Sequence, residues 1–159
     1  MEFKDALMEA LKLEQDGRNF YARMAEEAPD EETRSIFAQL AEDEVDHYNA
    51  IQRQYQALET GGTWEPIPGM EPLAELDAVS LVFPSGAKIP EALPDNITEE
   101  DALLFALGIE DKSFKLYHNS AQQTQDQAVE TWFLQLAGAE QRHFEILMMR
   151  YESRFGYPR

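Results

Sequence analysis

Cysteine is missing from the 159 residues. That excludes disulfides, thiolate zinc sites and iron–sulfur clusters. Basic residues are scarce: 13 Lys and Arg stand against 31 Asp and Glu, a formal charge of −18. Nucleic acid and anionic membrane both require a basic footprint, so neither is expected as a partner. Long apolar runs are absent as well. No stretch approaches the roughly 20 residues of a membrane span, and no positively charged start leads into an apolar segment, so no signal peptide is expected. A soluble, cytoplasmic protein is the expectation. Proline and glycine are thin except in residues 61–97, which hold six of the eight prolines and four of the eight glycines. Histidine occurs only three times.

Hydrophobic residues make up 43% of the chain, enough for a real core, and residues 1–159 are expected to form a single domain. Residues 3–28 read as a helix. Phe3, Leu7, Ala10, Glu14, Gly17, Tyr21 and Met24 recur at steps of four and three, one helical seam, and Pro29 stops it. Asp30 caps a second helix at about 31–60, with Glu31 and Glu32 in the first turn, where the dipole favours acids. Its seam is Phe37, Leu40, Glu44, His47, Ile51 and Leu58, and Gly61-Gly62 ends it. Thr98 with Asp101 has the form of a capping box and opens a third helix at about 99–122. The seam there is Leu103, Ala106, Glu110, Ser113, Tyr117 and Ser120. Thr124 with Gln127 is a second such box, opening a fourth helix at about 125–155 with the seam Phe133, Leu136, Glu140, His143 and Leu147. Residues 61–97 form a crossover, in which 79–83 reads as a short extended run and 73–78 as a helical turn.

The second half repeats the first at a shift of 96 residues. Ala10-Leu11 falls on Ala106-Leu107, Leu13-Glu14 on Ile109-Glu110, Tyr21 on Tyr117, and Gln39-Leu40-Ala41 on Gln135-Leu136-Ala137. One helical hairpin is used twice, and two like hairpins in a bundle are naturally related by an approximate two-fold axis. With that axis along the bundle a short loop would join the second and third helices. With the axis across it, those helices run parallel and the link must travel the bundle's length. A helix of roughly 26 residues is about 39 Å long, which the 37 residues of the crossover span easily at about 3.3 Å each. The order up, down, down, up is therefore expected, an all-α four-helix bundle with one long crossover.

Glu44-Val45-Asp46-His47 and Glu140-Gln141-Arg142-His143 coincide in this overlay. A Glu and a His three residues apart lie about 300° round the helix axis, so both leave one face. A further glutamate precedes each motif by 30 residues, Glu14 before Glu44 and Glu110 before Glu140. A single seam glutamate is ordinarily a snorkelling or salt-bridged residue. Six polar residues sharing the middle layer of four seams are another matter, because buried charge is rare unless paired or bound to metal. Four unpaired carboxylates in one layer would be costly. Two divalent cations would neutralise them, and a dinuclear centre between four helices is the expectation.

At these residues the chain resembles the ferritin-like di-iron carboxylate proteins and, among them, the rubrerythrin family. The resemblance covers about 120 residues, all but the crossover. It implies that Glu14 and His47 bind one metal terminally, that Glu110 and His143 bind the other, and that Glu44 and Glu140 bridge them. It implies two iron ions, although mixed oxygen and imidazole donors also suit manganese or a mixed pair. The implied activity is redox activation or reduction of oxygen or peroxide, with the metal ligands as the only catalytic groups. Two departures bear on that activity. Peroxidase members carry a second carboxylate one turn after the third-helix glutamate, where this chain has Ser113. They also commonly carry a cysteine-rich rubredoxin domain that delivers electrons, so here a separate donor protein is implied.

Around the six donors, Tyr21 and Tyr117 lie two turns on from the terminal glutamates, placed either to hydrogen-bond the bridging carboxylates or simply to fill the core. Gly17 and Ser113 are small and one turn away, which leaves room for an oxidant or serves close helix packing. Asp43 and Asp46 carry little weight as partners of a histidine, because their repeat counterparts are Ala139 and Arg142. His118 falls off the seam and reads as a surface residue. Trp132, Phe20, Phe114 and Phe144 add apolar surface beyond one seam, for a homodimer or higher homo-oligomer, or the crossover, to cover. Besides redox activation, two alternatives fit the motif: ferrous iron oxidation for iron handling, and a bundle that binds metal without catalysis.

Overall fold

Three of the four helices start on a side chain that accepts from the free N–H groups of a first turn. Asp30 accepts from Thr33 N at 3.1 Å, Thr98 from Asp101 N at 3.1 Å, and Asp126 from Ala128 N at 2.9 Å. In the computed structural model, which describes residues 3–74, 90, 92–93 and 95–156, the helices are α1 (Phe3–Glu27), α2 (Glu31–Glu59), α3 (Glu99–Gln122) and α4 (Gln127–Phe155). There is no strand among the described residues. The all-α four-helix bundle expected from the sequence is what forms. One start differs from expectation. Thr124 does not cap α4 but accepts from Asp126 N at 3.0 Å, and Asp126 is the cap. The α2 terminus is built on Gly61, at φ +80°, and on Gly62, where a Cβ would stand only 2.9 Å from Ala57 O.

Cross-helix pairs give the direction of each helix. Tyr117 donates to Glu14, and Tyr21 to Glu110. As α1 advances from 14 to 21, α3 retreats from 117 to 110, so the two are antiparallel. His47 with Glu140 and Asp43 with His143 set α2 and α4 antiparallel in the same way. The short turn between α1 and α2 makes those antiparallel too, so α2 and α3 run in one direction. Their starts indeed meet: Thr33 Oγ1 donates to Glu99 Oε1 at 2.9 Å. The chain must return along the bundle between them, and its described part follows α4. Trp64 packs edge-on to Trp132 at 5.2 Å, Gln135 bonds Ile67 and Met70, and Leu73 N donates to Leu134 O at 3.0 Å. Gly138 lets this strap lie close, since a Cβ there would meet Glu71 O at 3.1 Å. The extended run expected at 79–83 lies outside the described residues, as does most of the helical turn expected at 73–78.

Apolar side chains gather in two clusters. One holds Leu7, Ala10, Ile51, Tyr117, Trp132, Phe133 and Leu136, and the other Tyr21, Met24, Phe37, Leu40, Leu103, Leu107 and Leu147. In every seam the Glu and His residues come between members of the two clusters, so this layer has apolar side chains above and below. Trp132, Phe20, Phe114 and Phe144 are all buried within the chain, Trp132 partly by the crossover's Trp64. Large apolar side chains that stay exposed among the described residues are Met8, Ile146, Met149 and Phe155. No helix among the described residues is long and apolar enough to cross a membrane.

A candidate metal centre in the middle layer

Each of the four helices brings its share of donors to one level. Glu14 and Glu110 are fully buried, and Glu44, His47, Glu140 and His143 nearly so. Their ligating atoms form two overlapping sets. Glu14, Glu44, His47 and Glu140 make one, and Glu44, Glu110, Glu140 and His143 the other, with the atoms of each set within 4.8 Å of one another. Glu44 and Glu140 belong to both. The two imidazoles stack at 5.3 Å between centroids. His47 turns Nδ1 to Glu140 Oε1 at 3.0 Å and Glu14 Oε2 at 3.6 Å. His143 turns Nδ1 to Glu44 Oε1 and Glu110 Oε1, both at 3.4 Å. All six residues singled out in the sequence are thus brought together.

Electrostatics in this layer is that of a site short of positive charge. Burial alone would lower both histidines. The Glu14 and Glu140 carboxylates outweigh it at His47, which is held at about 10. Glu110 and Asp43 outweigh it at His143, which is held well above the usual imidazole value. Burial, with the charge of Glu140 beside it, pushes Glu110 up to about 8. Glu140 itself is lowered: its burial and the charge of Glu14 are outweighed by Glu110 and the two imidazoles beside it. Without cations, protons collect on the imidazoles and Glu110. Even so, Glu14 Oε2, Glu44 Oε1, Glu110 Oε2 and His143 Nδ1 are buried with no hydrogen-bond partner. Unpaired buried polar atoms are costly, and three carboxylate oxygens and an imidazole nitrogen left so in one layer fit cations better than any internal hydrogen bond. Carboxylate oxygens with two imidazoles are a donor set for iron, manganese or similar divalent ions.

The tyrosines bond differently from the expectation. Tyr21 donates to Glu110 Oε1 and Tyr117 to Glu14 Oε1, each at 2.5 Å. They hold the glutamates expected to be terminal, each on the opposite hairpin, not the shared Glu44 and Glu140. Burial raises both phenols well above their usual value, so they stay protonated and donate. Asp43, which the repeat discounted, meets His143: His143 Nε2 lies 3.1 Å from Asp43 Oδ2. Asp43 precedes Glu44 and so sits about 100° round α2 from it, and in the fold that side meets α4. Asp46 reaches neither imidazole. It lies with Asp43, His47, Arg53, Arg142 and His143 on a cleft of about 560 Å³ between α2 and α4, the side on which the imidazoles meet the surface. His118 is half-buried, its ring stacked on Phe114 at 5.4 Å. A Cβ on Gly17 would stand 3.7 Å from the Glu44 carboxylate, ordinary contact. A methyl group would therefore fit there without displacing Glu44.

Four helices in this order place matched carboxylate and imidazole donors in one buried layer that could hold metal ions. The Ferritin-like domain family model matches residues 4–149, and the chain belongs to that family. Among solved structures, a hypothetical protein from Pyrococcus furiosus is similar at 22% identity, with 96% of this chain and 89% of that one covered and a TM-score of 0.67. At that identity the likeness speaks for the fold. No curated protein matches the chain.

Proposed function

We propose that this is a di-metal carboxylate protein, most simply di-iron, that activates or reduces oxygen or peroxide in the manner of the rubrerythrins. What carries the proposal is the overlap of the two donor sets at Glu44 and Glu140: two cations held by these sets would share those carboxylates. Glu14 with His47 would hold one ion, and Glu110 with His143 the other. Bound there, such a pair supplies one-electron redox chemistry and open positions for oxygen or peroxide. The chain's own part is to fix the ligands from behind and to keep the layer dry. Tyr21 and Tyr117 hold one oxygen of each terminal glutamate, and the two apolar clusters close the layer above and below. With no cysteine in the chain, electrons come from a separate donor protein. Such a donor is at hand in the reducing cytoplasm, where we place the protein, as a homodimer or larger homo-oligomer.

Anaerobic ferrous loading followed by oxygen or peroxide tests the proposal. Repeated turnover with an added reductant supports it. Stoichiometric iron oxidation with mineral held in a large assembly assigns the chain to iron handling instead, and inertness to both oxidants leaves a metal-binding bundle. The ligand assignment has its own test. Glu44→Ala and Glu140→Ala should each weaken both metal positions, whereas Glu14→Ala should weaken one. Loss of one ion alone on changing Glu44 or Glu140 would show that the bridging assignment is wrong.

A further inference from the structure

The two halves of the centre match in their six donors and part company directly behind them. His143 has a carboxylate at its back, Asp43 Oδ2, 3.1 Å from Nε2. Asp43 is itself steadied, because Gln39 Nε2 donates to its Oδ1 at 3.1 Å. In the other half the repeat sets Ala139 where Asp43 stands and Gln135 where Gln39 stands. Gln135 is committed elsewhere: its side chain accepts from Ile67 N at 2.9 Å and donates to Ile67 O and Met70 O. Among the described residues no carboxylate meets Nε2 of His47, whose Nδ1 faces Glu14 and Glu140. Two further pairs differ, Gly17 with Ser113 and Asp46 with Arg142, but neither Asp46 nor Arg142 bonds an imidazole among the described residues. Each terminal glutamate has its tyrosine at the same distance, and both imidazoles line the same cleft.

The geometry points to two unequal metal positions, with Asp43 a positioning residue for His143 that makes the Glu110/His143 position the tighter one. This rests on the di-metal function proposed above. A carboxylate that accepts the Nε2–H fixes the tautomer with the Nδ1 lone pair toward the ion. It also holds the ring in plane and raises its basicity, and loss of such a partner costs about 10–100-fold in metal affinity. His47 lacks that support. Ions supplied at fewer than two per chain therefore fill the Glu110/His143 position first, and the Glu14/His47 position is the one that exchanges.

The test is a titration of the full-length, metal-free chain with cobalt(II), followed by heat and by the visible absorption of each bound ion. The wild type should show two unequal steps. Asp43→Ala should weaken the first by about tenfold or more and bring the two together. Asp43→Asn keeps a neutral acceptor and should restore part of the difference, which a merely structural loss would not do. Ala139→Asp offers His47 the missing carboxylate and should tighten the second step. Equal steps in the wild type, or an Asp43→Ala titration that overlays the wild type, overturn the inference. A wild-type chain that takes up no cobalt overturns the di-metal reading itself, a result distinct from uptake of two ions indifferent to Asp43.

Discussion

Glu14 and Glu110 each keep one carboxylate oxygen on a tyrosine hydroxyl and leave the other without a partner. At the scale of single residues this division is the signature of the centre: one oxygen held, one offered. In Tyr117→Phe the held oxygen of Glu14 loses its donor in a fully buried place. The metal-free protein should lose about 1–3 kcal/mol of unfolding free energy, measured in urea, and an unchanged midpoint would deny the hydroxyl this role. Protons give a second handle. His47 at about 10 and Glu110 at about 8 are protonated at pH 7 in the metal-free centre, and a cation must displace those protons. Metal affinity should therefore rise with pH through this range. Titration heats at pH 7 should depend on the ionisation enthalpy of the buffer, and heats indifferent to buffer would contradict it. The six donors were legible in the sequence because helical spacing, repeated at a fixed shift, puts them on one level. The tyrosine partners were not, because they depend on the antiparallel register of α1 against α3, which no single seam contains. Asp43 was missed because the repeat, so good a guide to the donors, fails just behind them at Ala139.

Among elements, the end of α4 is clasped to the starts of α2 and α3. Arg150 Nε donates to Thr33 Oγ1 at 2.9 Å and its Nη2 to Asp30, while Arg154 grips Glu99 with two bonds of 2.8 Å. Two acids are held below their ordinary range: Asp30 chiefly by the Thr33 N–H it caps, and Glu99 chiefly by Arg154, against a burial that would raise both. A carboxylate lowered by folding stabilises the fold fully above its unfolded value, about 4, and that stability is lost as pH falls through the lowered one. The melting temperature should therefore drop as pH falls below about 4. Arg154→Ala should lower stability only slightly at neutral pH, because Arg154 is half-exposed and such pairs are screened by solvent, and should flatten the acid slope. Melts of both chains across pH check this, and identical slopes would place the acid sensitivity elsewhere. Helix ends were legible wherever chemistry is local, as at Pro29, Asp30, Gly61-Gly62 and Thr98. The start of α4 was misplaced because Thr124 and Asp126 both have capping side chains, and only the backbone decides between them.

For the molecule as a whole, a chain carrying −18 sets four carboxylates in one layer between two apolar clusters. The parallel run of α2 and α3 was readable from linker length alone, since a long proline-rich segment is needed only if the chain must travel back. The path of that segment was not readable, because it is fixed by Trp64 against Trp132 and by Gln135 on backbone atoms of Ile67 and Met70, contacts without periodicity. The most direct measurement of the central claim is anomalous scattering from crystals of the chain loaded anaerobically with iron. Two peaks between the four helices are expected, one beside Glu14 and His47, one beside Glu110 and His143, with Glu44 and Glu140 reaching both. A single peak, or iron only at the acidic surface with the middle layer still held by protons, would contradict it.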